Sequence, residues 1–266
     1  MSIAKLLMCP PTFYDIKYSI NYWTNVEDIV DKEKAFRQWQ KVHDTLVGLG
    51  IHVELLEPVE GLPDMTTVGD AGMVYNGKFL AANFRHKERQ GEVVHYINWM
   101  KKYGMEIHEV PEDVFFEGLG DIIQYGKNII FGYGARSSKE AIESVKEVFP
   151  ELDILGEYRI KDNSFFHASH AIALIEEKTI LYYPEAFEEE SLQQIENLFE
   201  SRIAVSEEDA NNFICNCIPV GNKVLVDSCS IELENELNRF GYEVLRCDVS
   251  EFKKTGASLR CLILTL

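Results

Sequence analysis

Reactive side chains stand in several short polar segments, each directly ahead of a stretch of β-forming residues. They comprise a thiol, an imidazole and several carboxylates: Asp70 in TTVGDAG, Glu117 and Asp121 in FFEGLGD, His167 in SFFHASH and Cys261 in TGASLRC. Such a set can perform nucleophilic catalysis, because a thiolate attacks, an imidazole moves protons and a carboxylate orients the imidazole or holds a cation. The sequence therefore predicts a cysteine-dependent enzyme if folding brings these segments together.

Each of these residues also has an ordinary structural interpretation. Cys261, ahead of LILTL, can be a small buried apolar residue, and His167, beside two phenylalanines, can be a hydrogen-bonded core histidine. Asp70 and Glu117 adjoin glycines, and acidic residues beside glycine are common in turns. The functional interpretation therefore depends on whether the fold places them around one cavity.

Four predicted β-hairpins each follow a polar segment. Three of them follow the segments that hold Asp70, Glu117 and His167, and the fourth follows Asn211, Asn212 and Asn216. Their turns lie at Asn76 and Gly77, Lys127 and Asn128, Glu177 and Lys178, and Gly221 and Asn222. The turns recur at intervals of roughly 45 to 50 residues, which indicates an internal structural repeat.

After each hairpin come a helical pattern and one more short strand. The predicted helices are Lys87–Tyr103, Ser138–Val148, Glu185–Phe199 and Ser230–Phe240, and the strands are EIHEV, LDILG, RIAV and YEVLR. A fifth unit is split between the termini, where CLILTL pairs with IAKLLMC and the helix Lys32–Leu49 and the strand IHVELLE complete it. Five units would close into a ring, and the lack of a Pro- or Gly-rich linker favours one domain over residues 1–266. An α/β sandwich with accidental regularity is the alternative.

The composition argues against several classes of protein, namely nucleic-acid-binding, membrane-binding and membrane-spanning proteins. The net charge of −18 disfavours nonspecific binding to nucleic acid or to an anionic membrane, and no apolar run is long enough to span a bilayer. The six cysteines are sparse and lack paired zinc-type spacing, so we expect reduced thiols in a cytoplasmic protein. A small cationic or zwitterionic substrate fits this charge.

The chain resembles the amidinotransferase or pentein superfamily in a series of motifs that occur in the same order. The motifs are MCPPTFYDIKYSINYW, FRHKERQGE, FFEGLGD, GYGAR, FFHASH and TGASLRCLILTL. The resemblance covers the chain essentially end to end and points to the dimethylarginine dimethylaminohydrolase and arginine deiminase or dihydrolase branches. It implies an α/β fold, the five-bladed α/β propeller with pseudo-fivefold symmetry.

The resemblance also implies catalytic roles. Cys261 would attack the guanidino carbon of a substrate and form a covalent S-alkylthiouronium intermediate, which water then hydrolyses. His167 would protonate the departing amine and later activate the water. Glu117 would orient His167 and contact a guanidinium nitrogen.

Substrate-binding roles follow from the same resemblance. Asp70 would hold the guanidinium through paired charge-assisted hydrogen bonds, and Asp121 would either join it or cap a turn. Arg85 and Arg136 resemble residues that bind the α-carboxylate of an amino acid, although both could also be solvated surface charges.

The sequence departs from the family pattern near the expected site. Many members carry His-x-Asp, but Ser169 stands in the place of that aspartate, and Thr67 replaces an aromatic residue three positions before Asp70. Another residue, such as Phe13, Tyr14 or Tyr18, could supply the stacking surface, and His170 adds a further polar group. The pattern suggests altered specificity with the reactive groups retained.

The leading prediction is a hydrolase that acts on the guanidino carbon of arginine or an arginine derivative. An amidinotransferase using the same intermediate and a non-catalytic sensor of guanidines or amino acids are the alternatives. Neither a metal nor another cofactor is required, since compact zinc spacing and a GxGxxG loop are lacking. The expected partner is the small guanidino or amino-acid substrate, and a homodimer is compatible with the sequence.

Overall fold

The computed structural model describes residues 5–161 and 163–266, and these form a ring of five three-stranded sheets. In four of the sheets a hairpin is followed by a helix and then by a strand that lies parallel to the second hairpin strand. This order of hairpin, helix and strand is the repeat that the sequence predicted. The five-bladed α/β propeller is thereby confirmed.

The hairpin strands follow one another along the chain. They are β3 (Gly72–Tyr75) with β4 (Lys78–Ala81), β6 (Ile122–Tyr125) with β7 (Asn128–Tyr133), β9 (Ile172–Glu176) with β10 (Thr179–Tyr182), and β12 (Ile218–Val220) with β13 (Lys223–Val226). The parallel third strands are β5 (Glu106–Glu109), β8 (Asp153–Arg159), β11 (Ser201–Ala204) and β14 (Glu243–Arg246). Three of the four turns lie where they were predicted. The second lies one residue earlier because Gly126 adopts a positive φ of 63°, a conformation that suits glycine, and Asn128 already pairs with Tyr125.

The fifth sheet joins the two ends of the described chain. Strand β1 (Lys5–Met8) pairs antiparallel with β15 (Leu264–Thr265) and parallel with β2 (His52–Leu55). The predicted split unit is therefore present, although residues 3–4 of its predicted first strand lie outside the described residues.

The helices cover the outside of the ring. They are α1 (Lys32–Gly48), α2 (Lys87–Gln90), α3 (Val93–Tyr103), α4 (Ala141–Val148), α5 (Glu189–Leu198), α6 (Glu207–Asn211), α7 (Ile231–Arg239) and α8 (Ser250–Lys253). None of them, among the residues that the structure describes, is both long and apolar enough to cross a membrane.

Three predicted helices begin or continue differently from the prediction. The segment Ser138–Val148 begins only at Ala141, after a turn at residues 139–140. The segment Lys87–Tyr103 is broken at Gly91 into α2 and α3, since glycine weakens a helix. The segment Glu185–Phe199 begins only at Glu189, because Pro184 starts a separate 3₁₀ turn.

Short 3₁₀ turns line the axis of the ring, each just ahead of a hairpin or of the last strand. They are Val68–Ala71, Gly118–Gly120, Ala168–His170, Ile214–Asn216 and Leu259–Leu262. Each turn packs against the next and the last packs against the first, so the five form a closed circle. These are the polar segments in which the reactive residues were found, and the ring therefore gathers them at one point.

Candidate active site

A small cavity of about 20 Å³ lies at the axis and is lined by Cys261, His167 and Asp70 together with Arg136 and Phe166. This volume holds roughly one water molecule. Four of the residues predicted for the site thus surround one space, although they are widely separated in the sequence.

Glu117 holds one side of the His167 imidazole. The Nε2 atom of His167 lies 2.9 Å from Oε2 of Glu117, and the same oxygen accepts a hydrogen bond from Nη1 of Arg136 at 2.8 Å. The other oxygen, Oε1, accepts the backbone N–H of Arg85 at 3.2 Å. Burial acts to raise the pKa of Glu117, but Arg136 and His167 outweigh it and hold this pKa well below its usual range. Glu117 is therefore a fixed, charged acceptor.

The opposite ring nitrogen of His167 faces Asp70. Nδ1 lies 3.7 Å from Oδ1 of Asp70, and both atoms are buried without a hydrogen-bond partner in the described part of the chain. Burial acts to lower the pKa of His167, yet Asp70, Asp121 and Glu117 together outweigh it and raise that pKa. An imidazole of this kind is protonated more readily than usual near neutral pH.

Arg89 anchors Asp70 from behind. Its Nη1 donates to Oδ2 of Asp70 at 2.6 Å, while its Nε and Nη2 donate to the two oxygens of Glu92 at 3.1 and 3.0 Å. The guanidinium also lies over the Phe84 ring, 4.3 Å from its centroid. The prediction did not include Arg89, although it stands in the FRHKERQGE motif three residues before Glu92, the spacing at which helical side chains meet.

Cys261 lies in the 3₁₀ turn that precedes the last strand, and Asn216 holds it. Oδ1 of Asn216 accepts the backbone N–H of Arg260 at 2.9 Å and lies 3.6 Å from Sγ of Cys261. Its amide nitrogen donates to Oγ of Ser169 at 3.1 Å. Burial, with the nearby charge of Asp70, raises the pKa of Cys261 to about 12, so the thiol is protonated near neutral pH.

Ser169 thus supports Asn216. Asn216 was noted in the sequence only as a polar residue ahead of the fourth hairpin, and its contact with Cys261 depends on the closing of the ring.

The two arginines predicted to bind the substrate carboxylate differ in position. Arg136 lines the cavity, and its Nη2 donates to the carbonyl oxygen of Ile20 at 3.0 Å. The Arg85 side chain lies beside the cavity lining, where Nε donates to the carbonyl of Arg136 at 2.9 Å and the guanidinium covers the Phe115 ring. Direct contact with a ligand is therefore more readily provided by Arg136.

Asp121 braces the site from the scaffold. Its Oδ1 accepts the backbone N–H of Ala168 at 3.0 Å, and its Oδ2 accepts the backbone N–H of Ser137 at 3.1 Å. Both oxygens are thereby occupied, and one of the bonds fixes the residue that follows His167. Burial raises the pKa of Asp121.

The aromatic face of the cavity comes from Phe166, over which the Arg136 guanidinium lies at 4.6 Å. Of the suggested alternatives, Tyr14 donates instead to the carbonyl oxygen of Glu251, and Tyr18 donates to Asp64 at 3.0 Å. His170 is buried against Phe166, and burial with the charge of His167 lowers its pKa well below the usual range. Within 5–161 and 163–266, no group of three or more His, Cys, Asp or Glu residues is arranged to hold a metal ion.

A five-bladed α/β propeller with a thiol, an imidazole and carboxylates around its axis is the arrangement of the amidinotransferase or pentein superfamily. The family described as N,N dimethylarginine dimethylhydrolase, eukaryotic, matches residues 17–266. The chain belongs to this family. The predicted resemblance is confirmed, and so is the enzyme class, since the family and its dihydrolase relatives are guanidino-group hydrolases that act on C–N bonds.

Two relatives show how far the similarity extends. The N(G),N(G)-dimethylarginine dimethylaminohydrolase of Mycobacterium tuberculosis is 33% identical over 97% of this chain and 84% of its own length. The bifunctional arginine dihydrolase/ornithine cyclodeaminase ArgZ of a Synechocystis strain is 35% identical over 98% of this chain, which spans 37% of that longer protein.

Solved structures show the same fold. The N-terminal domain of ArgZ, in a cysteine-to-serine mutant bound to substrate, has a TM-score of 0.93 and 33% identity, with 98% of this chain and 97% of that chain covered.

Proposed function

We propose that this chain hydrolyses the guanidino group of arginine or an Nω-methylated arginine through a covalent thiouronium intermediate on Cys261. The observation that carries the proposal is the cavity itself: Sγ of Cys261 shares it with two buried atoms that lack a partner among the described residues, Nδ1 of His167 and Oδ1 of Asp70. A planar cation that donates several N–H bonds is the ligand class that suits Oδ1 of Asp70, while Nδ1 of His167 faces the same space as a proton carrier.

Binding of the cation would activate the thiol. Burial raises the pKa of Cys261 to about 12, but a guanidinium beside the sulfur would favour the thiolate and lower that pKa. Oδ1 of Asp70 would accept an N–H of the guanidinium and hold its carbon toward the sulfur. The substrate would thus help to create its own nucleophile.

The chemical steps use His167 as a proton carrier. As the guanidinium binds, the thiol of Cys261 releases its proton to solvent. The thiolate forms a C–S bond to the guanidino carbon, and the C–N bond to ammonia or an alkylamine breaks as His167 gives that nitrogen its proton. The neutral imidazole then takes one proton from water, and the resulting hydroxide attacks the thiouronium carbon. The C–S bond breaks to release the thiolate, and the remaining hydroxyl proton passes to solvent as the C=O bond of the ureido product forms. Glu117, at 2.9 Å from Nε2, would stabilise the charged imidazole throughout.

A free amino acid would be held at its other end by Arg136, which lines the cavity. Arginine does not fit into about 20 Å³, so residues of the lining must move when it binds. Ile20 and Asn21 line the cavity from a segment without regular secondary structure, and they are the part of the lining best able to move.

The relatives support this chemistry. An ArgZ N-terminal domain with an asparagine-to-serine substitution, which has a TM-score of 0.93 and 34% identity to this chain, is covalently bound to a reaction intermediate. A cysteine-to-alanine mutant of AgrE, with a TM-score of 0.91 and 34% identity, is in complex with L-arginine.

The test is product analysis with arginine, Nω,Nω-dimethylarginine and agmatine, each incubated with the wild type, Cys261→Ala and Cys229→Ala. We expect a ureido product and a free amine from at least one of the amino acids, complete loss of turnover in Cys261→Ala, and full turnover in Cys229→Ala. Cys229 is the matched control because it is a free, partly exposed cysteine outside the cavity lining. Hydrolysis that persists in Cys261→Ala would refute the mechanism.

The same assay separates the alternatives. An amidinotransferase would form a new guanidine only when an acceptor amine such as glycine is added. A sensor would show thermal stabilisation by a guanidine without product from any of them.

The proposal also includes a cytoplasmic location and a homodimer. The six cysteines are all free, as expected for a reducing compartment, and light scattering on the purified chain tests the dimer.

A further inference from the structure

A second cavity, of about 410 Å³, lies at the other end of the hairpins. Asp70 lies two residues before the start of β3, whereas Tyr75 and Asn76, at the far end of β3, line this second cavity. Since a strand of this length spans about 13 Å, these two parts of the linings lie roughly that far apart. Cys261 lines the first cavity and its neighbour Arg260 lines the second.

The Arg260 side chain is a buried cation that has no counter-ion among the described residues. It is only 8% exposed, its Nη2 donates to the carbonyl oxygen of Ile122 at 3.2 Å, and its Nε is buried without a partner in the same part of the chain. In this respect it differs from the two other buried arginines of the axis, Arg89 and Arg136, which are both paired with carboxylates. A buried guanidinium left in this state is costly, and an anion in the cavity would remove the cost.

The rest of the lining defines what kind of anion fits. The described residues that line the cavity include no Asp or Glu side chain, and most of the surface is apolar, from residues such as Met105, Leu119 and Ile263. Oε1 of Gln124, also in the lining, is a buried acceptor without a partner in the described part of the chain.

We propose that this second cavity binds a small monocarboxylate with an apolar body. The carboxylate would accept hydrogen bonds from Arg260, and the apolar body would lie against Leu119 and Ile263. A cavity of this volume is at the small end of the range for ligand sites, which suits a single-ring or medium-chain acid. The site differs in chemistry from the first cavity, which is lined by carboxylates and suits a cation.

Calorimetric titration with 3-phenylpropanoate tests the proposal, with 3-phenylpropanamide as the uncharged probe of the same shape. We expect one site and binding of the amide at least about tenfold weaker. In Cys261→Ala, which does not turn arginine over, the affinity for 3-phenylpropanoate should be unchanged by saturating arginine. The last result distinguishes this cavity from the first one, where Arg136 could also attract a carboxylate. Competition by arginine, or equal binding of acid and amide, would refute the proposal.

Two variants locate the site. Arg260→Met should lower the affinity for 3-phenylpropanoate at least about tenfold. Because this residue adjoins Cys261 and its loss could disturb folding, Gln124→Glu provides an independent variant that is nearly isosteric and places a negative charge in the same cavity. Gln124→Glu should lower the affinity for 3-phenylpropanoate to a similar extent. The control is Gln194→Glu, on the exposed side of α5, which makes the same change in net charge and should leave binding unchanged. Equal affinity in Gln124→Glu and the wild type would show that the anion binds elsewhere.

Discussion

Replacing Arg89 with methionine should destabilise the fold strongly, because Arg89 neutralises two buried carboxylates at once. Its guanidinium donates to Asp70 at 2.6 Å and to both oxygens of Glu92, and the Glu92 side chain is fully buried. Removing one partner of a buried ion pair costs about 3 to 5 kcal/mol, since the remaining charge is left in a medium of low polarity. In a chain of this size, each kcal/mol lowers the melting temperature by about 2 °C, so we expect a decrease of about 6 to 10 °C.

The assays are urea denaturation for the free energy of unfolding and thermal denaturation for the melting temperature, both followed by circular dichroism, with Arg37→Met as the matched control. Arg37 forms an ion pair with Glu33 at 3.6 Å on the surface of α1, where its side chain is 67% exposed, and its loss should change the free energy of unfolding by at most about 0.5 kcal/mol. The double variant Arg89→Met with Glu92→Gln should lose less stability than the sum of the two single changes, because removing one charge makes the other less costly. A loss below about 1 kcal/mol in Arg89→Met would contradict the reasoning.

The remaining predictions concern His167 and its surroundings. Gly120→Ala should reduce turnover by about a hundredfold, because a Cβ at this position would lie 2.9 Å from Oδ1 of Asp70 and 2.9 Å from the His167 ring, whereas Gly48→Ala, in open space on α1, should leave turnover unchanged. Glu117→Gln should lower the pKa of His167, since Glu117 is one of the carboxylates that raise it; NMR titration of the imidazole measures this, and an unchanged pKa would contradict the assignment. A raised folded-state pKa also means that protonation of His167 stabilises the fold. This contribution is fully present below about pH 6.5 and is lost as the pH rises through the folded-state pKa, so the stability advantage of the wild type over His167→Gln, measured by urea denaturation, should shrink with rising pH.

The repeat could be predicted from the sequence because its signals are local. Two-residue turns between β-forming runs fix the register of each hairpin, and the strand after each helix must then lie parallel in the same sheet. The break at Gly91 was harder to foresee, since a single glycine is tolerated inside many helices. The five units could be counted in the sequence. Their closure into a ring then predicts that the polar segments ahead of the strands meet on its axis.

The sequence could not predict which of two similar residues reaches the site, because this depends on the direction in which each side chain points in the folded protein. The FRHKERQGE segment offers Arg85 and Arg89, and the sequence alone favours neither for contact with Asp70. The direction of α2 decides, by turning Arg89 inward to Asp70 while Arg85 remains beside Phe115. Asn216 could not be assigned for the same reason, since its bond to the Cys261 turn forms only across the closed ring.

Some buried polar atoms at the axis lack a hydrogen-bond partner among the described residues. These atoms make the axis a binding site as well as a packed core. Glu117 accepts bonds at both oxygens and Asp121 accepts two backbone N–H groups, so these carboxylates are satisfied by the protein itself. Within the described residues Asp70 is satisfied on one oxygen only, and the open oxygen faces His167 and the cavity that holds Cys261. An unpartnered buried acceptor costs about 1 to 3 kcal/mol, so a ligand that donates to it gains affinity that the fold has left unused. Arg260 presents the opposite case, because its unpartnered group is a positively charged donor and therefore favours an anionic ligand. One ring can thus offer a cation site in one cavity and an anion site in the other.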